Sequence, residues 1–187
     1  MKRALVLLAD GTEELEVVTV IDLLRRARVH VVVAGLHDGP VTASRGVRLM
    51  AECEIDSQQL DTFDALILPG GAGGTRCFEE DERVLDLIRQ ASARPMILAA
   101  ICAAPRALHR ANVLRGKRVT SYPGALHPHD PSYTYVEESV VEDGWLVTSR
   151  GPGTAMDFAL TLVARLCGAE VRDEVEGPLM RPFTPRV

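Results

Sequence analysis

The chain has 187 residues, of which 47% are hydrophobic and 25% charged, an ordinary balance for a globular protein of one domain with a buried core. Its formal net charge is −5 at pH 7, which argues against general nucleic-acid binding, because proteins of that class carry basic patches. We therefore predict a single domain over residues 1–187 that has no specific nucleic-acid partner.

Buried strands and amphipathic helices are predicted to alternate along the chain, since apolar runs typical of covered strands are followed by apolar positions at helical spacing. In chain order, the predicted elements are a strand at residues 3–9, a helix at 12–26, a strand at 30–34, a small hairpin at 40–42 and 47–50, a strand at 63–68, a helix at 79–92, a strand at 96–101, a helix at 103–111, a strand at 118–121, a hairpin at 133–141 and 145–149, and a helix at 154–167. Thr12 is expected to cap the first helix. The tail at residues 176–187, which holds three prolines, is predicted to be irregular.

This alternation predicts an α/β fold, a three-layer αβα sandwich in which a mostly parallel sheet lies between helical layers. Ligands bind such folds beyond the carboxyl ends of the strands. The segments expected to form a site therefore follow predicted strands, at residues 10–16, 69–75, 102–105 and 150–153.

The N-terminus combines a basic pair with an apolar run, as a signal peptide does. The run at residues 4–9 is too short for one, and Asp10, Glu13 and Glu14 follow it at once. No apolar stretch approaches the roughly 20 residues that span a bilayer. The four cysteines are scattered and form no Cys-x-x-Cys pair. We therefore expect reduced thiols, a cytoplasmic location and no membrane partner.

Cys102 interrupts a run of small apolar residues, MILAAICAAP at residues 96–105, where a predicted strand must turn sharply into a helix. This is the arrangement of a nucleophile elbow, in which small neighbours let the backbone pass closely. The helix N-terminus is expected to lower the pKa of the thiol, and backbone N–H groups there could hold an oxyanion. The alternative is a buried structural cysteine, because free Cys is among the most buried residue types.

A glycine-rich segment, Gly70-Gly71-Ala72-Gly73-Gly74, follows the predicted strand at residues 63–68. It invites a phosphate-binding interpretation, but Arg76 stands where the third glycine of Gly-x-Gly-x-x-Gly belongs, and no Gly-Lys-Ser/Thr follows. We favour a loop that brings bare backbone N–H groups beside Cys102. A plain flexible turn remains the alternative.

Glu16 lies on the first predicted helix, where propensity alone indicates a solvated charge. The acidic cluster Glu13-Glu14-x-Glu16 could nevertheless project one carboxyl group into the cleft. Burial would raise the pKa of that group and let it donate or accept a proton.

Other residues with metal-binding or redox chemistry give weaker signals. The segment His127-Pro-His129-Asp130 has the composition of a metal cluster, but its specificity is low, and we predict no metal site. The remaining cysteines have no chemical partner in the sequence and are expected to be structural: Cys53, Cys77 and Cys167.

Four segments carry a resemblance to a known family: KRALVLLADGTEELEVV at residues 2–18, LILPGG at 66–71, AAICAAP at 99–105 and TSRGPGT at 148–154. In this order they resemble the DJ/ThiJ/PfpI superfamily, within the class I glutamine amidotransferase-like group. The similarity runs from residue 2 to about residue 180, and is greatest to the branch of the parkinsonism-associated protein deglycase and its bacterial relatives. The resemblance implies a flavodoxin-like sheet with a nucleophile elbow.

The resemblance also implies catalytic roles. Cys102 matches an oxidation-sensitive nucleophile, and Glu16 matches the carboxylic acid that hydrogen-bonds its thiol. The backbone N–H groups of Gly71 and Ala103, with Gly70 beside them, match an oxyanion-binding and substrate-binding set.

Further residues match a pocket that is partly built across a dimer interface: Arg45, Tyr122, Arg150 and Pro152. Many close relatives place a His where this chain has Tyr122. A neutral phenol cannot act as a base near pH 7 as imidazole can, so a Cys-His dyad is in doubt and Glu16 must carry most of the proton transfer.

The family resemblance implies a homodimer without a metal or organic cofactor. Its implied activities are a glutathione-independent glyoxalase (a hydro-lyase) and a protein deglycase (a hydrolase), which act on methylglyoxal-like 2-oxoaldehydes and their glycated adducts. The alternative is a redox-sensing stress-response protein or chaperone in which Cys102 is oxidised to sulfinic acid.

Two other branches of the superfamily fit the sequence less well. Protease-like relatives place His directly after the nucleophilic Cys, where this chain has Ala103. Amidotransferases need a later His-x-Glu pair, and neither His127 nor His129 has that spacing. Both activities are therefore disfavoured.

Overall fold

The computed structural model describes residues 1–181, apart from the side chain of Ser57. In chain order, the strands in this range are β1 (Arg3–Leu8), β2 (His30–Gly35), β3 (Pro40–Thr42), β4 (Arg48–Met50), β5 (Cys53–Glu54), β6 (Ala65–Leu68), β7 (Ile97–Ile101), β8 (Arg118–Val119), β9 (Thr134–Tyr135), β10 (Val140–Asp143) and β11 (Leu146–Ser149). The helices are α1 (Glu14–Arg26), α2 (Ala72–Glu80), α3 (Glu82–Ser92), α4 (Pro105–Arg110), α5 (Ala155–Cys167) and α6 (Ala169–Glu176). Within residues 1–181, no helix is both long enough and apolar enough to cross a lipid bilayer.

Seven strands form the central sheet, in the order β10-β11-β7-β6-β1-β2-β5. All neighbouring strands pair in parallel except β10, which is antiparallel to β11. Parallel strands need crossover connections, and helices supply most of them, so the middle strands are covered on both faces. The α/β class and the mostly parallel sheet predicted from the sequence are confirmed.

Alternate side chains of β1 enter two separate cores. Val6 packs with α1 and α5 residues such as Phe158, whereas Leu5 packs with α2, α3 and α4 residues such as Phe78. Both phenylalanines are fully buried, and burying a side chain of this size contributes about 1.5–3 kcal/mol to stability. The helices therefore form two layers that hold the sheet between them, and the carboxyl ends of its strands meet at one edge.

Several predicted elements differ from the observed ones. The hairpin predicted at residues 133–141 and 145–149 is formed by β10 and β11 alone, because β9, inside the predicted first strand, pairs with β8 instead. The strand predicted at residues 118–121 is only β8, which pairs in parallel with β9 in a separate two-stranded sheet. The predicted glycine loop is largely α2, which ends where Asp81 begins α3 by accepting a hydrogen bond from the Arg83 N–H (2.9 Å).

The C-terminal region also differs from the prediction. Helix α6 was missed, and the predicted irregular tail contains its last residue, Glu176, followed by a 3-10 turn at Gly177–Leu179. Helix α6 is short and mostly polar, but Val175 is buried in the core that α1 and α5 share, so tertiary packing stabilises a helix that the sequence pattern signals weakly. The rest of the predicted tail, residues 182–187, lies outside the described residues.

Candidate active site

Cys102 lies directly after β7, in a turn whose backbone is strained. Its φ of 63° is in the left-handed region, which costs a non-glycine residue about 1–3 kcal/mol. Two hydrogen bonds hold this conformation: the Cys102 N–H donates to the Ser149 carbonyl (3.0 Å), and the Tyr122 N–H donates to the Cys102 carbonyl (2.8 Å). The predicted elbow is therefore present, although α4 begins two residues later than predicted, at Pro105.

Only glycine fits at position 70, because the atoms of the Cys102 turn leave no room for a Cβ atom at Gly70. A Cβ atom on Gly70 would lie 2.5 Å from the Cys102 Cβ, 2.7 Å from Glu16 Oε2 and 2.8 Å from the Ile101 carbonyl oxygen. Two of these three atoms belong to the predicted catalytic pair, and all three distances are shorter than ordinary van der Waals contact. The glycine thus lets β6 end in contact with the elbow.

Glu16 is fully buried, although it lies on α1 among other acidic residues. Its Oε2 accepts a hydrogen bond from the Gly70 N–H (2.8 Å), and its side chain hydrogen-bonds the Cys102 thiol. Within the described residues, Oε1 has no protein partner that meets hydrogen-bond geometry. Burial raises the pKa of Glu16 to about 7, against the lowering effect of the bonds from Gly70 and Cys102.

The pKa of the Cys102 thiol is shifted upward, whereas the sequence analysis predicted a downward shift. Burial, reinforced by the negative charge of Glu16, raises the pKa of Cys102 to about 12, and the N–H groups of Gly71 and Ala103 only partly offset this. The lowering expected from backbone N–H groups is therefore present, but burial outweighs it. Near neutral pH, a thiolate at Cys102 therefore requires its proton to pass to Glu16.

The glycine-rich segment serves close packing between two turns. Gly71 precedes the first residue of α2 and has a φ of 89°, which favours glycine. A Cβ atom on Gly71 would collide with the Gly11 carbonyl and lie 2.6 Å from the Glu13 nitrogen. A Cβ on Gly74 would lie 2.7 Å from the Thr12 hydroxyl oxygen. The prediction of a loop is wrong for Ala72, Gly73 and Gly74, which are helical. The predicted proximity of the Gly71 N–H to Cys102 is observed.

The turn between β1 and α1 has a different cap from the predicted one. The buried Thr12 hydroxyl accepts a hydrogen bond from the Ala9 N–H (3.2 Å), and α1 begins at Glu14 without a side-chain cap. The Thr12 side chain thus stabilises the turn between β1 and α1. The Thr12 carbonyl accepts a further hydrogen bond from the Ser44 N–H (2.8 Å). The β3–β4 hairpin is joined to the site in this way.

Ser44 is a site residue that the sequence analysis missed. Its hydroxyl lies 2.7 Å from Glu13 Oε2 and 2.8 Å from Glu14 Oε2, and the Arg45 N–H donates to Glu14 (2.9 Å). The turn Ser44-Arg45-Gly46 was visible in the sequence. Its contact with the acidic cluster was not, because about thirty residues separate the two segments.

A cavity of about 490 Å³ opens above the Cys102 thiol. Its walls are Gly11, Glu13, Ser44, Arg45, Gly71, Ala72, Gly73, Cys102, Ala103, Tyr122 and Pro152. Gly70 and Glu16 lie behind this wall, in contact with Cys102. Arg150 is not among the residues of this wall. Its guanidinium lies 3.6 Å from Glu137 Oε2. A larger cavity of about 600 Å³ at the end of α1 has neither a cysteine nor a histidine in its walls.

The histidine segment predicted to lack metal chemistry lies outside this cavity. The rings of His127 and His129 meet edge to face, with 5.9 Å between their centroids, and Asp130 accepts hydrogen bonds from Ser132. Within residues 1–181 no three His, Cys, Asp or Glu side chains converge closely enough to hold a metal ion. The other cysteines are partly buried free thiols: Cys53, Cys77 and Cys167.

Comparisons with known proteins agree with this architecture. A family model described as the DJ-1/PfpI family matches residues 2–165. The chain is 44% identical over 181 residues to Protein dj-1beta of Drosophila melanogaster, covering 96% of this chain and 97% of that protein. The crystal structure of Drosophila melanogaster DJ-1beta has a TM-score of 0.91 at 42% identity, covering 97% of this chain and 99% of that one. A Caenorhabditis elegans protein named Glutathione-independent glyoxalase DJR-1.2 is 31% identical over 179 residues, covering 95% and 96%.

Proposed function

This chain belongs to the DJ-1/PfpI family, and we propose that it is a cysteine-dependent enzyme that converts methylglyoxal-like 2-oxoaldehydes to 2-hydroxy acids without glutathione. One observation carries the proposal: the strained Cys102 thiol is hydrogen-bonded to a buried carboxyl group and lines a cavity. The name of the nematode relative, a glutathione-independent glyoxalase, supports the same class of chemistry.

In the first step, the Cys102 sulfur attacks the aldehyde carbon while its proton passes to the Glu16 carboxylate. The carbonyl oxygen becomes an oxyanion, which the N–H groups of Gly71 and Ala103 stabilise; both already act on the sulfur. A pKa of about 7 suits Glu16 to this role, because a group that both accepts and returns a proton works best near the operating pH. The oxyanion then takes this proton from Glu16, which gives a neutral hemithioacetal and restores the Glu16 carboxylate.

In the second step, Glu16 moves a proton between the two substrate carbons. It takes the proton from the carbon bonded to sulfur, which gives an enediol-like intermediate, and returns it to the neighbouring carbon, while the hydroxyl proton on the first carbon moves to the oxygen on the second. The first carbon is thereby oxidised and the second reduced, so no external oxidant is needed, and a thioester of the 2-hydroxy acid remains on Cys102. Water then hydrolyses the thioester, and the sum is methylglyoxal plus water to lactate.

The same chemistry extends to protein deglycation. A hemithioacetal on a protein thiol or an aminocarbinol on a protein amine holds the same dicarbonyl carbons. Release of such an adduct would need the partner group to reach Cys102, and the cavity is open enough at Arg45 and Tyr122, both exposed, for an approaching side chain.

The test is lactate formation from methylglyoxal without glutathione, followed by NMR, for wild type, Cys102→Ser and Glu16→Gln. Cys167→Ser is the matched control, because it replaces a partly buried thiol remote from the cavity. We expect Cys102→Ser to lose nearly all turnover, since a serine hydroxyl is hardly ionised, and Glu16→Gln to lose about 10²–10⁴-fold. Full activity in Cys102→Ser, or consumption that stops at one equivalent in wild type, would overturn the proposal.

A second candidate function is redox sensing, favoured by Glu16 Oε1, which has no partner of good geometry within residues 1–181. Peroxide would oxidise Cys102 through sulfenic to sulfinic acid, and a protonated Glu16 would donate a hydrogen bond to a sulfinate oxygen. Intact-mass analysis during peroxide titration tests this. A gain of two oxygens confined to Cys102 supports a sensor, whereas oxidation spread over all four thiols argues against one.

We also infer a homodimer, supported by apolar side chains exposed on neighbouring elements. Leu15 and Val18 lie on one face of α1 and are 51% and 49% exposed, and Met50 on β4 is 68% exposed. Exposed apolar patches of this kind mark association surfaces. Light scattering during size-exclusion chromatography should give twice the monomer mass of 20.3 kDa, and Leu15→Glu should lower it; a monomer at all concentrations contradicts the inference.

A further inference from the structure

Two glycine-containing segments from different parts of the chain lie beside Cys102. One holds Gly70, where a Cβ atom would lie 2.5 Å from the Cys102 Cβ, and Gly71, whose N–H group acts on the sulfur. The other holds Gly151, where a Cβ atom would lie 4.0 Å from the sulfur. A substrate carbon bonded to the sulfur is therefore close to Gly151, and its acyl substituent can extend along the cavity wall there.

The ring of Tyr122 covers Gly151. A Cβ on Gly151 would lie 3.3 Å from Tyr122 Cδ2 and 3.9 Å from Cε2, so the missing side chain lets the ring lie on the backbone. The Tyr122 backbone is held by its own N–H bond to the Cys102 carbonyl (2.8 Å) and by the Ala125 N–H, which donates to the Tyr122 carbonyl (2.9 Å). The Tyr122 backbone is thus fixed relative to Cys102, and its side chain, 52% exposed, lies at the cavity wall.

The size of the cavity also exceeds what a three-carbon substrate needs. Its volume of about 490 Å³ lies in the range of about 300–1,000 Å³ that is typical of pockets for drug-sized ligands. Next to Tyr122, the wall continues with Pro152 and Ala103, which are apolar. Space and apolar surface are therefore available beside Tyr122 for a substituent larger than methyl.

We propose that Tyr122 determines specificity, and that its ring favours 2-oxoaldehydes with an aryl substituent over those with an alkyl substituent. This inference rests on the proposed glyoxalase chemistry and names the substrate class of the same site. The aryl group would pack against the Tyr122 ring in an offset-stacked or edge-to-face arrangement. Such a contact gives about a 2- to 10-fold preference beyond the area that is buried.

The experiment compares kcat/KM for phenylglyoxal and cyclohexylglyoxal, which have similar size but differ in aromatic character, with methylglyoxal as the small reference. We expect wild type to favour phenylglyoxal over cyclohexylglyoxal by about 2- to 10-fold. Tyr122→Leu should abolish that ratio and Tyr122→Phe should keep it. An unchanged ratio in Tyr122→Leu, equal losses for all three substrates, or loss of the ratio in Tyr122→Phe would overturn the inference.

A binding measurement separates this inference from the proposed function. Acetophenone and cyclohexyl methyl ketone carry the same two substituents but no aldehyde, so their affinities for wild type and Tyr122→Leu can be measured by ligand-observed NMR without turnover. Selective, Tyr122-dependent binding of acetophenone without any lactate formation would support aryl recognition by Tyr122 and contradict the proposed glyoxalase activity. Catalytic lactate formation without aryl preference in either assay would contradict aryl recognition by Tyr122 and leave the proposed glyoxalase activity supported.

Discussion

The amino ends and the carboxyl ends of the strands form two edges of the central sheet, here the amino edge and the carboxyl edge. Charged groups are stabilised at the first and destabilised at the second. At the amino edge, Lys2 and Asp64 form an ion pair of 2.8 Å, with side chains 51% and 34% exposed. Burial acts to raise the pKa of Asp64, but hydrogen bonds from Lys2 and the Arg3 N–H lower it overall, so its charge is stabilised. At the carboxyl edge, Glu16 is fully buried beside a thiol and has no cationic partner among the described residues, so burial destabilises its charge.

The backbone at the carboxyl edge is also strained. At the carboxyl edge, Cys102 has a φ of 63° and Gly71 one of 89°, and the chain segments that carry them touch without intervening side chains. Strain and desolvation thus coincide at the place where ligands bind α/β sheets. Perturbed pKa values and strained backbone at one place are typical of catalytic sites, whereas paired, hydrated charges are typical of a supporting surface.

The largest effect is expected from Gly70→Ala, which adds one carbon at the carboxyl edge. The new Cβ would lie 2.5 Å from the Cys102 Cβ, so either Cys102 or Glu16 must shift. A displacement of about 1 Å costs about 100-fold in rate, and overpacking costs about 1–3 kcal/mol of stability. Lactate formation and urea unfolding measure both effects.

Gly177→Ala is the control for that substitution. A Cβ there meets nothing within 4 Å, and the backbone is helical with a φ of −51°. We expect unchanged turnover and a small gain in stability, because alanine lowers the entropy of the unfolded chain. Full activity in Gly70→Ala would show that the elbow relaxes, and the contrast between the two edges would then be lost.

A smaller effect is expected from Glu16→Gln on the free energy of unfolding. The folded pKa of Glu16 is about 7 against an ordinary value of 4.5, so the folded protein holds this proton over a range where the unfolded chain has released it. Wild type therefore has its full stability from this group below pH 4.5 and loses it as the pH rises through 7, by about 3 kcal/mol in total. Above pH 7, Glu16→Gln should be the more stable protein.

Urea unfolding of both proteins at several pH values between 4.5 and 8.5 measures this difference. The other carboxylates titrate alike in wild type and variant, so subtracting the two curves isolates Glu16. A difference that stays constant with pH would mean that Glu16 titrates normally and is not a proton carrier matched to neutral pH.

The smallest effect is expected from Lys2→Gln at the amino edge. The ion pair with Asp64 is half-exposed, and pairs of this kind contribute about 0.2–1 kcal/mol. Turnover should be unchanged, because no residue of the cavity wall contacts Lys2. A tenfold loss of lactate formation would mean that the two edges are coupled through β1.

The elements with strong local signals were predictable. Strand β1 is a continuous apolar run and α5 has a wide apolar face, so burial on both faces and burial on one face could be inferred directly. Helix α2 was not predicted, because its first turn contains Gly73 and Gly74, which are poor helix formers. Those glycines are helical because only they fit against the turn that holds Gly11 and Thr12.

For the site, the sequence by itself determined which groups are present and where the chain must turn: a thiol between small residues after a buried strand, and acidic residues at the start of the first helix. Local pattern is enough for this, because elbows and helix starts depend on neighbouring residues. Only the tertiary structure decided that Glu16 rather than Glu13 or Glu14 is buried, that burial raises the pKa of Cys102, and that Ser44 joins the wall. Desolvation and contact depend on segments far apart in sequence, and these meet only when the chain folds.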